Sequence, residues 1–495
     1  MSITRFKNRV IDKNDLFFMK KHQSIIGRET EVATLKRLYN SKKSEFAIVY
    51  GRRRVGKTFM IAKTFEGQFT FRMTALSKGK TKVQLQNFHN YLSLFDPAAA
   101  DTSIPKNWLE AFQVLIKFLS RQKAKRKVIF FDELPWFDSH GSDFLTGLEH
   151  FWNGWAAYRS DILLITCGSA ASWMIKKLIR DKGGLHNRVT ERILVQPFSL
   201  QETEVFLKAK GGDYDRYQLL ELYMAVGGIP FYLESIQVNR SIAQNIDRLF
   251  FTPDGLLHGE YFDLYRSLFK KYTKHIAVVE ALASKSKGLS RKEVVKQSKL
   301  KEGGGLSLVL DELTQSGFIK RYYPFGKTNR DALYQLSDPY TLFYLTFVKN
   351  SKAQGAGAWL SQLHSPKWRA WSGYAFEQIC RYHADAIKNH LGIRSVYTEV
   401  STWRSKKTAG GAQIDLIFDR QDRVMNICEI KFSETPYTIT KAYAENLQNK
   451  LAVFKEETKT RKTLFLTMIT TFGVKSNVYA QRYVQDSLTM DALFD

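Results

Sequence analysis

The chain has 495 residues, a formal net charge of +27 and 44% hydrophobic residues, so it is too long for one core and too apolar for a disordered or fibrous class. Its three cysteines cannot build a disulfide framework or a zinc site, and no apolar run of about 18 residues predicts a membrane span. We therefore expect a multidomain cytoplasmic protein that does not enter a membrane, and the positive charge indicates a polyanionic partner such as nucleic acid.

The N-terminal part of the sequence reads as a basic segment, residues 1–22, followed by an α/β region, residues 23–205. The basic segment lacks the continuous apolar stretch of a signal peptide. In the second region four short apolar runs alternate with helical stretches: EFAIVY, FTFRMTA, KVIFFDE and ILLITCGS. This alternation predicts a parallel sheet covered by helices.

The first of these apolar runs leads into a phosphate-binding motif. Residues 51–58, GRRRVGKT, fit the pattern G-x-x-x-x-G-K-[ST] between a strand and a helical stretch. In that context the glycines let the backbone wrap around phosphate, and the amides of the helix start face anionic oxygens. We expect Lys57 to reach the β- and γ-phosphates of ATP and Thr58 to ligate Mg²⁺. The predicted nucleotide contacts of this loop are Gly51, Arg52, Arg53, Arg54, Val55, Gly56, Lys57, Thr58 and Phe59.

Two adjacent carboxylates end the third apolar run. Asp132 follows the buried residues VIFF, so it is predicted at the carboxyl edge of the strand, where it would hold the Mg²⁺ shell. Glu133 would then polarise the attacking water. The fourth run ends in Ser169, which we predict to sense the γ-phosphate or the water, with Thr166 as the alternative.

An arginine near the transferred phosphoryl group would stabilise its developing charge. The segment LHNRVTERI offers Arg188 for this role and Arg192 as a second candidate. Either would act within its own chain or across the interface of a homo-oligomer.

Two further stretches share their order along the chain with the phosphate loop and the strand that ends in Asp-Glu. Residues 26–31, IGRETE, are similar to a G-R-E-x-E box, and residues 228–230, GIP, look like a G-x-P motif. Together these features resemble the archaeal ATPase family in the STAND branch of AAA-like P-loop ATPases. The resemblance implies that Gly27, Arg28 and Glu29 lie near the adenine base and that Pro230 packs against it. It also implies a helical lid, residues 206–264, whose opening depends on ATP versus ADP.

Residues 265–350 predict a winged helix, because three helical runs precede two strand-like runs joined by a Pro-Phe-Gly turn. The third helix, LSLVLDELTQ, would enter a major groove. Its acidic residues disfavour base readout, so packing inside the protein or against another protein is the alternative. The predicted phosphate contacts are Lys320, Arg321, Lys327 and Arg330.

A second α/β region, residues 356–495, follows the linker-like stretch SKAQGAG. Two strand-like runs there are joined by a short polar turn. If the turn is symmetric about Asp422, residues whose numbers sum to 844 lie opposite one another, so Asp415 faces Glu429 and Lys431 lies on the same face. Two carboxylates this close repel unless a cation lies between them, which predicts a divalent-metal site.

This hairpin resembles the PD-(D/E)xK nuclease core, with Asp415, Glu429 and Lys431 on its D…E-x-K positions. Glu377, in the helical run YAFEQICRYHAD, is similar to the acidic residue that such folds carry on their first helix. The resemblance implies a restriction-endonuclease-like fold in which these three carboxylates hold Mg²⁺ and Lys431 orients the water. The chain as a whole resembles a family of ATP-binding proteins whose C-terminal domain has no known function.

The sequence therefore predicts a multidomain α/β protein that binds and hydrolyses ATP with Mg²⁺. Its nucleotide state would control a nuclease-like C-terminal domain that contacts nucleic acid, DNA rather than RNA. The alternative is an ATP/ADP regulatory switch with a catalytically inactive C-terminal binding module. Metal-dependent cleavage of nucleic acid separates the two.

Overall fold

The computed structural model describes residues 24–169, 171–179, 183–185, 187–285, 287–327, 331–352, 355–405 and 411–495. The predicted basic segment, residues 1–22, lies outside the described residues, as do Arg330 and residues 353–354 of the predicted linker. The chain forms two compact units, Met1–Pro197 and Phe198–Asp495. The boundary falls within the region 23–205 that the sequence assigned to the ATPase core.

The first unit is built around a parallel sheet with the strand order β2-β3-β4-β1-β5. Strands β3 and β4 are buried along their whole length, as expected for a sheet with both faces covered by helices. The four predicted strand runs correspond to β1 to β4. The strands are β1 Glu45–Tyr50, β2 Phe69–Thr74, β3 Lys127–Asp132, β4 Ile162–Gly168 and β5 Glu191–Leu194.

Helices connect these strands, and one face of the sheet packs against a large aromatic core. Trp108 contacts the Phe144 ring edge-on at 4.8 Å, and Phe137 stacks on Phe144 at 4.6 Å. Such burial of large rings holds the sheet as a rigid base for the loops at its edge. The helices are α1 Glu29–Tyr39, α2 Lys57–Thr64, α3 Thr81–Phe95, α4 Trp108–Arg121, α5 Phe144–Gly154 and α6 Ala171–Met174.

The second unit begins with the helices of the predicted lid. Three of them start with a capping box, in which the cap side chain and the third helical residue bond to each other's backbone amides. These signals fix where each helix begins. The helices are α7 Leu200–Ala209, α8 Arg216–Val226, α9 Pro230–Glu234, α10 Ile242–Ile246 and α11 Glu260–Leu268.

The predicted winged-helix segment, residues 265–350, has three helices followed by a hairpin. The hairpin strands pair antiparallel, and β6 adds to β8 to give the order β6-β8-β7. Its elements are α12 Tyr272–Ala283, β6 Leu289–Ser290, α13 Arg291–Ser298, α14 Gly304–Gln315, β7 Ile319–Tyr322, β8 Leu333–Leu336 and α15 Pro339–Phe343.

The C-terminal segment holds a mixed sheet with the order β13-β12-β11-β10-β9. Strands β9, β10 and β11 run antiparallel, and β12 and β13 continue parallel to β11. Its elements are α16 Pro366–Tyr382, α17 Ala384–His390, β9 Thr398–Arg404, β10 Gln413–Arg420, β11 Val424–Lys431, α18 Lys441–Thr458, β12 Thr463–Thr470, α19 Val478–Tyr483 and β13 Asp486–Leu488.

Among the described residues, no helix has both the length and the hydropathy that a bilayer crossing requires.

Candidate functional site

The loop between β1 and α2 has glycine at two positions whose positive φ favours that residue. Gly51 has a φ of 146°, and a Cβ there would lie 2.3 Å from the Val195 carbonyl oxygen. Gly56, with a φ of 86°, is the N-cap of α2. The loop therefore turns tightly and delivers the chain to a helix start, whose first amides have no partner within the helix and suit an anion.

Lys57 is the first residue of α2, and its side chain contacts the backbone of this loop. It is 6% exposed, and its Nζ donates to the carbonyl oxygens of Gly51 at 3.1 Å and Arg52 at 2.8 Å. A buried ammonium needs acceptors, and phosphate oxygens are stronger partners for it than neutral carbonyls. The loop thus holds a cation where the predicted β- and γ-phosphates would lie.

Thr58 and Asp132 meet at the carboxyl edge of the sheet. The Thr58 hydroxyl donates to Asp132 Oδ2 at 3.0 Å, and Asp132 is only 3% exposed. Burial and the neighbouring Glu133 raise the pKa of Asp132 to about 7. A hydroxyl and a carboxylate are ligands that Mg²⁺ prefers, and a cation there would offset the cost of the buried charge, so the two residues fit a magnesium ion.

Glu133 and Ser169 lie together at the same edge. Ser169 follows β4, and its hydroxyl is 3.0 Å and 2.9 Å from the two carboxylate oxygens of Glu133. Glu133 has a left-handed backbone, with a φ of 50°, and its amide donates to Asp132 Oδ1 at 2.9 Å. The alternative to Ser169 is not brought to this point, because Thr166 pairs in register with Phe131, whose ring belongs to the aromatic core.

The predicted G-R-E-x-E box contacts the phosphate loop. Arg28 is buried, its guanidinium donates to the Val55 carbonyl oxygen at 3.2 Å, and it lies 3.7 Å from the Glu31 carboxylate. Gly27 and Arg28 both have left-handed φ values, so the chain turns sharply before α1 starts at Glu29. Arg28 therefore stabilises the phosphate loop through its hydrogen bond to the Val55 carbonyl oxygen, a contact that the sequence did not predict.

Arg188 lies at the other end of the sheet in this chain. It precedes β5, which runs parallel to β1, and the Thr190 amide donates to the carbonyl oxygen of Phe46 near the start of β1. The phosphate loop follows the opposite end of β1. The structure therefore does not bring Arg188 to the phosphate site of its own chain, and Arg192 is an exposed residue of β5.

Pro230 belongs to the second unit, where it is the first residue of α9. The preceding Gly228 packs under the chain that enters the unit, because a Cβ on it would lie 1.9 Å from the Phe198 carbonyl oxygen. Glycine and proline thus fix the backbone of the G-x-P motif. Its approach to adenine stays a prediction.

In the C-terminal segment, the hairpin register follows the predicted arithmetic. Leu416 pairs with Cys428 and Ile417 with Ile427, so the numbers of opposed residues sum to 844. Asp415 and Glu429 are the next positions of this ladder, and Asp415 Oδ2 accepts the amide of Ile430 at 3.3 Å.

Two side chains that the sequence did not identify, Lys450 and Tyr443, contact the Glu429 carboxylate. The Lys450 ammonium of α18 contacts both of its carboxylate oxygens, at 2.9 Å and 2.8 Å, and the Tyr443 hydroxyl donates to it at 2.8 Å. Lys431 lies 2.9 Å away. Burial would raise the pKa of Glu429, but Lys431 and Lys450 outweigh it and hold the pKa below its usual value. Tyr443 and Lys450 are seven residues apart, a helical spacing that places both on one face and was the available sequence signal.

Asp415 and Glu377 share the next part of the cluster. Burial and the charge of Glu429 raise the pKa of Asp415, and burial and Asp415 raise that of Glu377 to about 7. Arg381 donates to Glu377 at 3.2 Å and to the backbone oxygen of Asp415 at 3.1 Å. The acidic side chains of this cluster thus lie next to basic side chains of the same chain.

The predicted metal ligands Glu377, Asp415 and Glu429 lie in this cluster, and metal binding by them stays a prediction. Among the described residues, no three or more His, Cys, Asp or Glu side chains are arranged to hold a metal ion. Lys431 and Lys450 supply positive charge at the point where the sequence predicted a divalent cation.

Comparison with known families decides the nature of the first site. Residues 25–236 match a family described as an ATPase domain predominantly from Archaea. Residues 25–236 are a P-loop ATPase domain of the archaeal type. This domain binds and hydrolyses ATP, in agreement with the loop, the buried lysine and the carboxylates at the sheet edge.

Individual relatives of the archaeal-type ATPase domain are distant. An uncharacterized protein of Methanocaldococcus jannaschii is 23% identical over 418 residues, which are 83% of this chain and 88% of the relative. An uncharacterized ATP-binding protein of the same organism is 44% identical over 43 residues, 9% of this chain and 73% of the relative. Among solved structures, the Walker-type ATPase of Pyrococcus abyssi aligns with a TM-score of 0.47 and 17% identity, covering 65% of this chain and 96% of that one.

Proposed function

We propose that the chain is a magnesium-dependent ATPase whose nucleotide state controls a C-terminal module that contacts nucleic acid without cleaving it. One observation carries the proposal. The archaeal-type ATPase domain extends to residue 236, yet its residues from Phe198 onward belong to the compact unit that also contains the C-terminal segment. A change in the lid of the ATPase therefore acts directly on that segment.

The first link between lid and C-terminal segment lies at the start of α7. The Leu200 amide donates to His383 Nε2 at 3.1 Å, and His383 Nδ1 is bonded to the Ile379 carbonyl oxygen. Burial lowers the pKa of His383 to about 4, so near neutral pH it is uncharged and can accept through Nε2. A helix start of the lid is thus held by a helix of the C-terminal segment.

The second link runs through α8. Arg216 pairs with Asp491 at 2.9 Å. Tyr217 stacks on Phe432 at 5.6 Å and on Phe472 at 5.3 Å. Phe432 directly follows Lys431, so an aromatic contact of the lid lies beside the charged cluster of β10 and β11.

In ATP hydrolysis, some side chains of the protein would bind the nucleotide and its metal, and others would transfer the proton of the attacking water. Lys57 would exchange its carbonyl partners for phosphate oxygens, and Thr58 and Asp132 would hold Mg²⁺, which neutralises charge on the phosphates when bound. Glu133 would take the proton of the attacking water, and the Ser169 hydroxyl orients its carboxylate.

The C-terminal cluster supports a module that does not cleave. Glu429 is bound by Lys431, Lys450 and Tyr443, so its oxygens already have partners. A metal-dependent nuclease would need those oxygens for the cation. Glu429 is instead a buried carboxylate whose oxygens are bound by side chains of its own chain.

The coupling is tested by DNA affinity in different nucleotide states. Fluorescence anisotropy of a labelled duplex would be measured with the full chain in ADP and in a non-hydrolysable ATP analogue, for wild type and Tyr217→Ala. We expect the two states to differ in wild type and to converge in the variant, while ATP turnover is retained. Equal affinity in both states of the wild type contradicts nucleotide control.

The absence of cleavage is tested separately. The full chain would be incubated with Mg²⁺ or Mn²⁺ and single-stranded and duplex DNA and RNA, with and without ATP. Cleavage that is present in wild type and lost in Asp415→Ala would establish the nuclease and reject the binding module.

A further inference from the structure

Four exposed lysines of the winged-helix segment lie on α13 and the turn that follows it. Lys292, Lys296, Lys299 and Lys301 are all exposed. Lys292 and Lys296 are four residues apart on α13, the spacing at which side chains share one helical face, which is roughly 6 Å along the axis at about 1.5 Å per residue. Lys299 is the C-cap of α13, with a φ of 57°, and Lys301 lies in the turn that follows.

The acidic residues of the same stretch are already bound. Glu293 lies 2.6 Å from Lys285, which together with the Ser290 amide lowers the pKa of Glu293 to about 2. Glu302 lies 3.3 Å from Arg291. Within the part of the chain that the structure describes, none of the four exposed lysines forms an ion pair, so their charge faces solvent.

The hairpin that carries the predicted phosphate contacts Lys320, Arg321 and Lys327, which are exposed, also packs against the C-terminal segment. Phe325, at its tip, donates its amide to the Thr402 carbonyl oxygen at 2.8 Å and packs its ring on Phe454 at 5.4 Å. On β8, Gln335 accepts the Arg381 guanidinium at 3.0 Å. Because its tip and one strand are held by the C-terminal segment, the hairpin does not project as a free wing.

The third helix, α14, is poorly suited to reading bases. Its exposed side chains include Leu308, which is 49% exposed, and Asp311. Glu312 of the same helix is engaged with His275 at 2.7 Å. A carboxylate and an apolar side chain do not attract a phosphate-lined groove, so sequence readout by this helix is not expected.

The start of α14 is nevertheless open to a close approach. Gly303, Gly304 and Gly305 are exposed, and a Cβ on any of them would meet no atom within 4 Å. No side chain therefore separates a phosphate group from the first amides of the helix, which lie next to the turn that carries Lys299 and Lys301.

We propose that Lys292, Lys296, Lys299 and Lys301 form a lysine surface that binds the phosphate backbone of duplex DNA without reading its sequence. The inference rests on the nucleic-acid contact proposed above and assigns that contact to the lysine surface. Duplex DNA carries about one negative charge per 1.7 Å of its axis, a density that suits four lysines within a helix and a turn. Phosphate contact of this kind positions a protein on DNA and carries no sequence information.

The test replaces the four lysines by glutamine in the full chain. The control variant removes the same charge from exposed lysines of the first unit: Lys42, Lys117, Lys123 and Lys125. Anisotropy with one duplex of mixed sequence, one of unrelated sequence and one duplex RNA would be measured from 50 to 200 mM salt. Thermal melting and ATP turnover verify that each variant is folded.

Four lost phosphate contacts should reduce the steepness of log affinity against log salt by about 3 to 4, and weaken binding at low salt by about tenfold or more. The control variant should keep the wild-type slope, and both DNA sequences should bind equally. An unchanged slope in the lysine-surface variant, an equal loss in the control, or tighter binding of wild type to duplex RNA overturns the inference. Failure of the wild type to bind any duplex would reject the proposed nucleic-acid contact itself, together with this surface.

Discussion

The assignment of Glu133 as the base is tested by replacing it with glutamine. The substitution is nearly isosteric, so one oxygen remains to accept from Ser169, which lies 2.9 Å and 3.0 Å from the two carboxylate oxygens. The left-handed backbone, with a φ of 50°, costs the same conformational free energy with either side chain. Only the negative charge and the proton acceptor are lost.

The expected effect falls on turnover and spares binding. General-base catalysis contributes about 10² to 10⁴ in rate. At 1.36 kcal/mol per tenfold, kcat for ATP should fall by an amount that corresponds to about 2.7 to 5.4 kcal/mol in activation free energy. Thr58, Lys57 and Asp132 remain in place, so magnesium-dependent ATP affinity should change little.

Steady-state phosphate release gives kcat, and calorimetry gives the ATP affinity. The matched control is Asp138→Asn, which removes a carboxylate from the loop after β3 but keeps an oxygen for the Trp173 ring nitrogen, now 3.1 Å away. It should retain turnover. Undiminished turnover in Glu133→Gln, or loss of ATP binding in that variant, would refute the reasoning.

Three further outcomes follow from buried ionisable groups. Lys57→Ala should abolish ATP uptake in calorimetry, because the loop loses its buried cation; retained uptake would contradict the assignment. Lys450→Met removes two contacts to the buried Glu429 carboxylate and should destabilise the second unit by about 1.5 to 3 kcal/mol, measured by thermal or urea unfolding. Adding Glu429→Gln should recover part of this loss. If the destabilising effects of the two substitutions are simply additive, the result would argue against the pairing. His383 has a folded pKa of about 4 against about 6.5 unfolded, so the unfolded chain binds more protons between these values and the second unit should lose up to about 3 kcal/mol as pH falls from 6.5 to 4. His383→Gln should flatten this dependence in melting curves, and an unchanged slope would contradict it.

The phosphate site shows how far local signals reach. The strand, loop and helix around residues 51–58 were predicted because glycine spacing and apolar runs act over a few residues. The meeting of Thr58 with Asp132 also followed, since parallel strands place their carboxyl ends at one edge. The position of Arg188 could not be predicted in the same way. The sequence does not specify that the segment before β5 lies at the end of the sheet opposite the phosphate loop.

The hairpin of the C-terminal segment marks the same limit. A short turn sets the register of its two strands, so the opposition of Asp415 and Glu429 could be calculated from residue numbers. Lys450 could not be assigned, since it reaches Glu429 from a helix that begins ten residues beyond β11. That ammonium supplies positive charge at the point where the pattern predicted a metal.

The sequence alone determined the P-loop ATPase domain and the register of one hairpin, because these depend on neighbours along the chain. Only the tertiary structure decided that Arg28 braces the loop, that the tip of the β7–β8 hairpin packs on the C-terminal sheet and that Lys450 neutralises Glu429. Such contacts join residues far apart in sequence, and their free energy comes from burial and charge pairing that no local pattern specifies.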